Sequence, residues 1–258
     1  MKKIAPILIT MLLFNLAFCY AQEARDYYQV KIYQIDTEDQ EEMLDQYLKD
    51  AYLPALHRAG IESVGVFKPI EGKNGDENFV MVFTPFTSLQ GFEDLNATLA
   101  QDKAYLQDGK DYIEASHDNP PYKRIESMIL KSFSAMPQFA LPKLSSDPSQ
   151  RVYEFRSYEG ATEQLYERKV EMFNDAGEVA LFKELDFNPV FFAEVLSSAH
   201  MPHLIYMTTF DDAVSQEARW TAFREHPDWI KMKALDRYQN TVSSITKYLM
   251  YPTDYSDI

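Results

Sequence analysis

The chain contains an internal repeat, and this repeat limits its fold more than any other feature. The segment "YQVKIY" from Tyr28 aligns with "YEFRSY" from Tyr153, an offset of 125 residues. Thr37 aligns with Thr162 at the same offset, and later segments stay within one residue of it. Each copy has the size of a small domain, so we expect two versions of one structural unit.

Both copies contain the same predicted elements in the same order. The segments that open at Thr37 and Thr162 space their apolar residues three and four positions apart, which predicts a helix in each. The later segments "FVMVFTPF" and "LIYMTTF" are apolar at nearly every position, which is typical of central strands covered on both faces. Both copies therefore follow the order strand, helix, strand, strand, helix, strand of the ferredoxin-like unit.

A proline-containing connector joins the two copies. Pro137, Pro142 and Pro148 lie in the segment "SFSAMPQFALPKLSSDPSQ", and they favour an extended chain. We therefore divide this part of the sequence into a first domain at residues 27–136, a linker at residues 137–150 and a second domain at residues 151–258.

The first 21 residues have the pattern of a secretory signal peptide. Lys2 and Lys3 precede an apolar run, and small residues at Cys19 and Ala21 indicate cleavage after Ala21. We expect an exported protein, periplasmic or secreted, with no membrane contact after cleavage. Two alternatives stay open, namely a retained membrane anchor and a Cys19 that is lipidated instead of removed.

Charge and cysteine content exclude several classes of function. The formal net charge is −15, and it becomes −17 when cleavage removes Lys2 and Lys3. Nucleic-acid binding needs clustered basic residues, so we expect no nucleic-acid partner. Cleavage also removes the single cysteine, which excludes disulfide bonds and thiol catalysis in the mature chain. The sequence contains no phosphate-binding glycine loop, HExxH helix or nucleophile elbow.

The second copy resembles the NIPSNAP family. The resemblance covers residues 151–256 and is carried by "RVYEFRSYEG", by "ARWTAFREHPDWIKM" with its two tryptophans, and by "YLMYPTDYS". The first copy is similar but divergent, because "YQVKIY" and "PYKRIESMILKSF" fit the pattern while both tryptophans are missing.

The resemblance implies the fold of the dimeric α+β barrel group. We therefore expect an α+β protein in which two tandem ferredoxin-like (βαββαβ) units pair their antiparallel sheets into one barrel within the chain. Such a chain would fold alone, as a monomer or a weak homo-oligomer. The family has no general reaction, catalytic set or cofactor, so we assign no catalytic residue and expect no cofactor. Whether the protein is an enzyme stays open.

The opening strands of the two units alternate between apolar and polar side chains, which places each type on one face. We expect the apolar set to meet the helices and the polar set to line the barrel interior, where charges must pair, either Lys31 with Glu154 or Glu154 with the neighbours of Arg156. The apolar set is Tyr28, Val30, Ile32, Tyr153 and Phe155, and the polar set is Gln29, Lys31, Tyr33, Glu154, Arg156 and Tyr158.

Three interpretations of the polar set remain open. In the first, Lys31, Tyr33, Glu154, Arg156 and Tyr158 bind a small organic ligand in the barrel interior, and Arg156 receives an anionic group. In the second, they form an ion-pair network in a non-catalytic interaction or scaffold protein with a packed interior. The third is an enzyme like the cofactor-independent monooxygenases, which the wider group contains beside haem-handling enzymes. This third interpretation rests on fold alone.

Two histidines in one turn could reach the same metal ion. His200 and His203 lie in the segment "HMPH", and neutral imidazole is a common ligand of zinc and copper. The sequence marks no third or fourth ligand beside them, and a structural zinc site needs four. We therefore predict no metal site.

Overall fold

The computed structural model describes residues 24–75 and 77–258, so the predicted signal peptide and its alternatives lie outside the described residues. Eight antiparallel strands form a closed barrel in the order β1-β3-β2-β8-β5-β7-β6-β4. The strands are β1 (Tyr27–Gln34), β2 (Gly65–Pro69), β3 (Phe79–Phe86), β4 (Arg124–Ser132), β5 (Val152–Glu159), β6 (Phe191–Ser197), β7 (His203–Phe210) and β8 (Ser244–Pro252).

Two helical layers cover the outside of the barrel, one for each unit. The helices of the first unit are α1 (Glu38–Tyr47), α2 (Leu53–Arg58), α3 (Leu89–Leu99), α4 (Lys103–Asp108) and α5 (Lys110–Ile113). Those of the second unit are α6 (Glu163–Asn174), α7 (Glu178–Glu184), α8 (Ala213–Glu225) and α9 (Pro227–Lys233). No helix in residues 24–75 or 77–258 combines the length and the apolar character that a membrane span requires.

The barrel closes through two junctions between the units. In the first unit β1 pairs with β3 and β4, and in the second β5 pairs with β7 and β8. One junction pairs β2 with β8, with Phe67 opposite Pro252, and the other pairs β4 with β6, with Leu130 opposite Val195. The predicted fold class, two tandem ferredoxin-like units that form one barrel within the chain, is therefore confirmed.

Apolar side chains from both units fill the barrel interior. The rings of Tyr28 and Phe191 have centroids 5.2 Å apart, and those of Phe67 and Tyr153 lie 4.8 Å apart, so rings of one unit pack on rings of the other. An eight-stranded barrel is just wide enough for its side chains to fill it. The buried interior set is Tyr28, Val30, Ile32, Phe67, Phe79, Met81, Phe83, Met128, Leu130, Tyr153, Phe155, Val190, Phe191, Ala193, Val195, Ile205, Met207, Met250 and Ile258.

The predicted orientation of the opening strands is therefore wrong. Their apolar side chains lie inside the barrel, and their polar side chains face the helices. The interior consists of apolar side chains, whereas helices carry polar side chains that can hydrogen-bond to a buried charge, so the charges are less costly on the helix side. The residues concerned are Tyr28, Val30, Ile32, Tyr153 and Phe155 inside, and Lys31, Tyr33, Glu154, Arg156 and Tyr158 on the helix side.

The main helices begin at equivalent positions in the two units. Thr37 accepts a hydrogen bond from the backbone of Gln40, and Thr162 accepts one from Leu165 in the same way. Ser88 caps α3 and Asp212 caps α8, and these two residues are 124 positions apart, within one residue of the offset between Thr37 and Thr162. A side-chain oxygen at this position satisfies a backbone N–H that the helix leaves unpaired. The repeat therefore preserves the signals that start helices.

The two units differ in how the first helix ends. In the first unit, a π-helical turn at Leu48–Tyr52 connects α1 to α2. In the second unit, the helical conformation ends with α6, and Gly177, with a φ of 99°, directly precedes α7. Glycine adopts this left-handed conformation without the steric cost that a Cβ imposes.

Segments outside the strands cover the end of the barrel where β1 begins. The backbone of Thr253 donates to the carbonyl of Val66 at 2.9 Å, so the C-terminal tail runs along β2. Ile258 at the end of the tail packs into the interior set, and Phe139 of the linker packs against the same set. Both the tail and the linker therefore help to exclude water from this end.

The packed interior predicts a large effect of truncating one of its rings. We expect Phe191→Ala to lower the free energy of unfolding by about 3–5 kcal/mol, because it leaves a cavity beside Tyr28 and Phe83. Val214→Ala is the control, because Val214 is 78% exposed and its truncation should change the free energy by less than about 0.5 kcal/mol. Urea unfolding measures both, and equal small losses would contradict a packed interior.

Candidate functional site

Glu154 is the centre of a buried hydrogen-bond cluster between the sheet and α8. Its side chain is fully buried and accepts hydrogen bonds from Arg156 Nε at 2.6 Å, Gln216 Nε2 at 2.7 Å and Trp220 Nε1 at 2.6 Å. Gln216 and Trp220 are four residues apart, so both point from one face of α8 toward the strand. These donors compensate the carboxylate for the water that it loses on burial.

Arg156 is held on three sides. Its guanidinium carbon lies 3.9 Å from the centre of the Trp220 ring, and its Nη1 donates to the Tyr158 hydroxyl at 3.3 Å. The Tyr158 hydroxyl is in turn 2.8 Å from the Tyr206 hydroxyl. Stacking and hydrogen bonding together fix the guanidinium plane in one orientation.

A second buried ion pair lies beside this cluster. Lys169 of α6 and Glu178 of α7 are both at least nine-tenths buried, and their charged atoms are 2.8 Å apart. Burial raises the pKa of Glu178, and the Lys169 ammonium opposes part of this rise. The ammonium also lies 4.6 Å from the centre of the Phe173 ring. This ion pair therefore links α6 to α7, and its ammonium lies beside the Tyr158 ring.

The equivalent place in the first unit has a different chemistry. Gln29 occupies the position equivalent to Glu154 and donates to Ser127 Oγ at 2.9 Å. Lys31, equivalent to Arg156, forms no ion pair within the described residues, and its Nζ lies 3.4 Å from the Tyr52 hydroxyl. Burial lowers the pKa of Lys31 because it disfavours the charged ammonium.

Tyrosines surround Lys31 instead of carboxylates. The π-helical turn carries Tyr52, whose ring centre is 5.1 Å from Lys31 Nζ and whose pKa burial raises to about 12. Tyr47 stacks on Tyr112 with centroids 3.6 Å apart, and its hydroxyl lies 3.0 Å from that of Tyr105. Ring faces attract an ammonium ion, so the tyrosines offset part of the cost of burying Lys31.

The five predicted site residues are therefore divided between two clusters. Lys31 and Tyr33 belong to the first unit, and Glu154, Arg156 and Tyr158 belong to the second. The predicted pair between Lys31 and Glu154 is wrong, because Glu154 pairs with Arg156 of its own strand. The contacts of both clusters hold helices to the sheet. A ligand-binding role for these five residues stays a prediction.

The barrel end where β1 finishes has a small mouth with a buried histidine. His203 is 3% exposed, and its Nδ1 and Nε2 lie 2.7 Å and 2.6 Å from the hydroxyls of Ser157 and Ser198. Burial, with a smaller effect from His200, lowers the pKa of His203 to about 4, so its ring is neutral at pH 7. The cavity here measures about 90 Å³. Residues 24–75 and 77–258 contain no group of three or more histidine, cysteine, aspartate or glutamate side chains placed to bind a metal ion.

A larger cleft of about 460 Å³ lies at the opposite end of the barrel, where β1 begins. Its walls are the turn at residues 59–63, the end of β3, one face of α3, and Phe139 of the linker. Asp26, directly before β1, is 8% exposed and lines the cleft. Burial raises the pKa of this carboxyl group.

The residues that complete these sites were not predicted from the sequence. Gln216, Lys169 and Glu178 lie on helices, where their polar character is typical of a solvated face. Asp26 precedes the strand pattern, and its only signal is the repeat, which aligns it with Arg151. That position carries opposite charges in the two units.

The family is decided by a model that matches both repeats. The NIPSNAP family model matches residues 28–137 and residues 153–257. The chain belongs to the NIPSNAP family. No protein with a curated description matches its sequence. As a NIPSNAP chain it carries the family domain twice, and its two domains form the two halves of one barrel.

Solved structures with the same fold span nearly the whole NIPSNAP chain. A putative monooxygenase from Fusobacterium nucleatum subsp. nucleatum ATCC 25586 is similar with a TM-score of 0.57 at 8% identity, covering 89% of this chain and 93% of that chain. A putative monooxygenase from Lactobacillus acidophilus NCFM gives 0.56 at 7% identity, with 88% and 94% covered. An anthrone oxidase-like protein gives 0.53 at 12% identity, with 90% and 93% covered. At these identities the likeness shows the fold alone.

The Glu154 cluster predicts that its arginine is needed for stability. We expect Arg156→Met to lower the free energy of unfolding by about 3–5 kcal/mol, because Glu154 then stays buried without its cation. The double variant Glu154→Gln/Arg156→Met should recover part of the loss, since the glutamine carries no charge. Chemical denaturation of the three proteins measures this.

Arg224→Met is the matched control for the arginine. Arg224 pairs with Glu217 at 2.7 Å, but its side chain is 54% exposed. An exposed pair contributes about 0–1 kcal/mol, so this variant should be close to the unchanged protein. A loss for Arg156→Met as small as that for Arg224→Met would show that Glu154 does not need the arginine.

The buried histidine predicts a loss of stability in acid. The pKa of His203 is about 4 in the folded chain and about 6.5 in the unfolded chain, so between these values the unfolded chain binds more protons. The free energy of unfolding should therefore fall by up to about 3 kcal/mol as the pH decreases from about 6.5 to about 4. Denaturation at several pH values should show a flatter profile for His203→Gln, and parallel profiles would contradict this assignment.

Proposed function

We propose that this NIPSNAP-family protein binds a small organic molecule in the cleft beside Asp26. The observation that carries the proposal is a buried carboxylate in a cleft of about 460 Å³. Ligand sites of proteins measure about 300–1,000 Å³ and combine apolar walls with a few polar groups. Phe86, Leu95 and Phe139 supply apolar wall here, and the carboxylate supplies the polar group.

The filled barrel interior supports a ligand site in the Asp26 cleft and not inside the barrel. It is filled by the apolar side chains of both units, and the cavity at the other mouth measures about 90 Å³. This is below the volume of about 300 Å³ at which drug-sized ligands are held. A small-molecule site at the Asp26 end therefore replaces the interior site that the sequence suggests.

A second candidate function is that of a non-catalytic interaction or scaffold protein. The filled interior favours it, because the two units then support each other without enclosing a ligand. We also propose that the mature chain is exported and is a monomer or a weak homo-oligomer, with support from its N-terminal residue pattern and from closure of the barrel within one chain. Two of the similar structures are of putative monooxygenases, but we propose no reaction for this protein.

A pair of tryptophan variants on α3 tests the proposed site. Thr98 is exposed and lines the cleft, whereas Asn96 is exposed on the same helix and lies outside the cleft wall. Fragments from a chemical library that raise the melting temperature of the protein should lose this effect in Thr98→Trp, because the indole occupies the cleft. Asn96→Trp should keep the effect, because it leaves the cleft open and the stabilisation by a ligand depends only on the ratio of its free concentration to its dissociation constant.

Two results would overturn the proposal. One is a library in which no fragment raises the melting temperature of the unchanged protein. The other is a set of active fragments whose effects are the same in Thr98→Trp and Asn96→Trp. The first result would favour the interaction protein, and the second would place the ligand elsewhere.

A further inference from the structure

The charged side chains that line the Asp26 cleft, within the described residues, are all acidic. Asp26, Glu62 and Asp94 line it, and no lysine, arginine or histidine is among the described residues of its wall. The whole chain is also acidic, with a formal net charge of −15. A cleft with carboxylates and low-dielectric walls attracts cations and repels anions.

Asp26 itself lacks the partners that a buried carboxylate requires. Its side chain accepts one hydrogen bond in the described part of the chain, from the backbone N–H of Phe139 at 3.4 Å. The neighbouring Arg25 is directed elsewhere, since its guanidinium donates to the carbonyl of Ser132 and to Glu194 at 2.7 Å. Buried carboxylates are normally paired or hydrogen-bonded several times. Asp26 therefore has room for one more donor from the cleft.

The geometry favours an organic cation over a metal ion. Within the described residues, Asp26, Glu62 and Asp94 do not form a group that could hold a metal ion, and calcium or magnesium needs six or more oxygen ligands. The apolar wall of Ile61 and Phe86 offers a surface that a hydrated metal ion cannot use. An ammonium group on an apolar body uses both parts of the cleft.

We propose that the cleft binds a primary ammonium ion attached to a compact apolar group, with the ammonium donating to the Asp26 carboxylate. The inference rests on the proposed function and adds the chemical class of the ligand. The apolar group lies against Phe86 and Phe139, and Glu62 and Asp94 attract the cation at the rim. A charge-assisted hydrogen bond in a buried site is stronger than one between neutral groups.

Three probes of nearly equal size and shape test the inference by calorimetry at neutral pH. They are 2-phenylethylammonium, the neutral 2-phenylethanol and the anionic phenylacetate. We expect the ammonium probe to bind at least about tenfold more tightly than the alcohol, and phenylacetate to bind most weakly. Asp26→Asn should weaken binding of the ammonium probe about tenfold and leave binding of the alcohol nearly unchanged.

Glu93→Gln is the matched charge control, because Glu93 lies on α3 beside Asp94 but outside the cleft wall. It should change the affinity for the ammonium probe by less than about twofold, since exposed charges are screened by salt. If Asp26→Asn does not fold, Glu62→Gln at the rim replaces it, with an expected loss of about twofold to fivefold.

The outcomes separate this inference from the proposed function. Binding of the alcohol or of phenylacetate as tight as that of the ammonium probe, lost in Thr98→Trp, would overturn the inference and leave the cleft as a ligand site. The same result follows if fragments bind in the cleft and none of the three probes does. Equal losses in Asp26→Asn and Glu93→Gln would also overturn it. If no fragment stabilises the unchanged protein, or if fragments act equally in Thr98→Trp and Asn96→Trp, the proposed ligand site in the cleft is itself overturned.

Discussion

The closed barrel interior is the constraint on which the rest of the structure depends. Eight strands enclose a space that side chains just fill, and a charge placed there would lose its water without gaining a partner. Each unit alone would expose one apolar sheet face. In the barrel each unit covers the apolar sheet face of the other, as the contacts of Tyr28 with Phe191 and of Tyr153 with Phe67 show. The polar groups of the opening strands therefore lie on the helix side of the sheet, where side chains of the helices supply their hydrogen-bond partners.

The two units solve this electrostatic problem differently at equivalent positions. The second unit places a carboxylate and a guanidinium together and satisfies both with α8 and Tyr158. The first unit has Gln29 and Lys31, and no carboxylate of the described residues pairs with this lysine. A π-helical turn instead brings Tyr52 toward it. π-Helical turns are often found at functional sites, but here the turn has a structural reason. The second unit thus contains a buried network in which the charges pair with each other. The first unit contains a buried ammonium whose burial cost the neighbouring tyrosines offset only in part.

Much of the fold could be predicted because the repeat, the strand alternation and the helix caps are local signals. The strand order within each unit and the capping residues Thr37 and Thr162 follow from such signals. The side of the sheet could not be predicted, since alternation shows which residues share a face and not which face lies inside a barrel. Partners of Glu154 such as Trp220, whose indole N–H donates to the carboxylate, are distant from it in sequence. Asp26 was missed because it stands outside every element.

The position of Asp26 shows why a site can arise at the end of a fused barrel. In the second unit the equivalent residue is Arg151, whose guanidinium donates to the carbonyl of Ser146 at 3.0–3.1 Å and is thereby satisfied by the linker. In the first unit the linker passes the equivalent position, but among the described residues its contact with the Asp26 carboxylate is one hydrogen bond of 3.4 Å from Phe139, and a cleft remains beside it. The linker thus accepts the hydrogen bonds of Arg151 in the second unit and forms a wall of the Asp26 cleft in the first. A barrel of two identical chains has no such connector, so the asymmetry that leaves Asp26 available is a consequence of joining the two units in one chain.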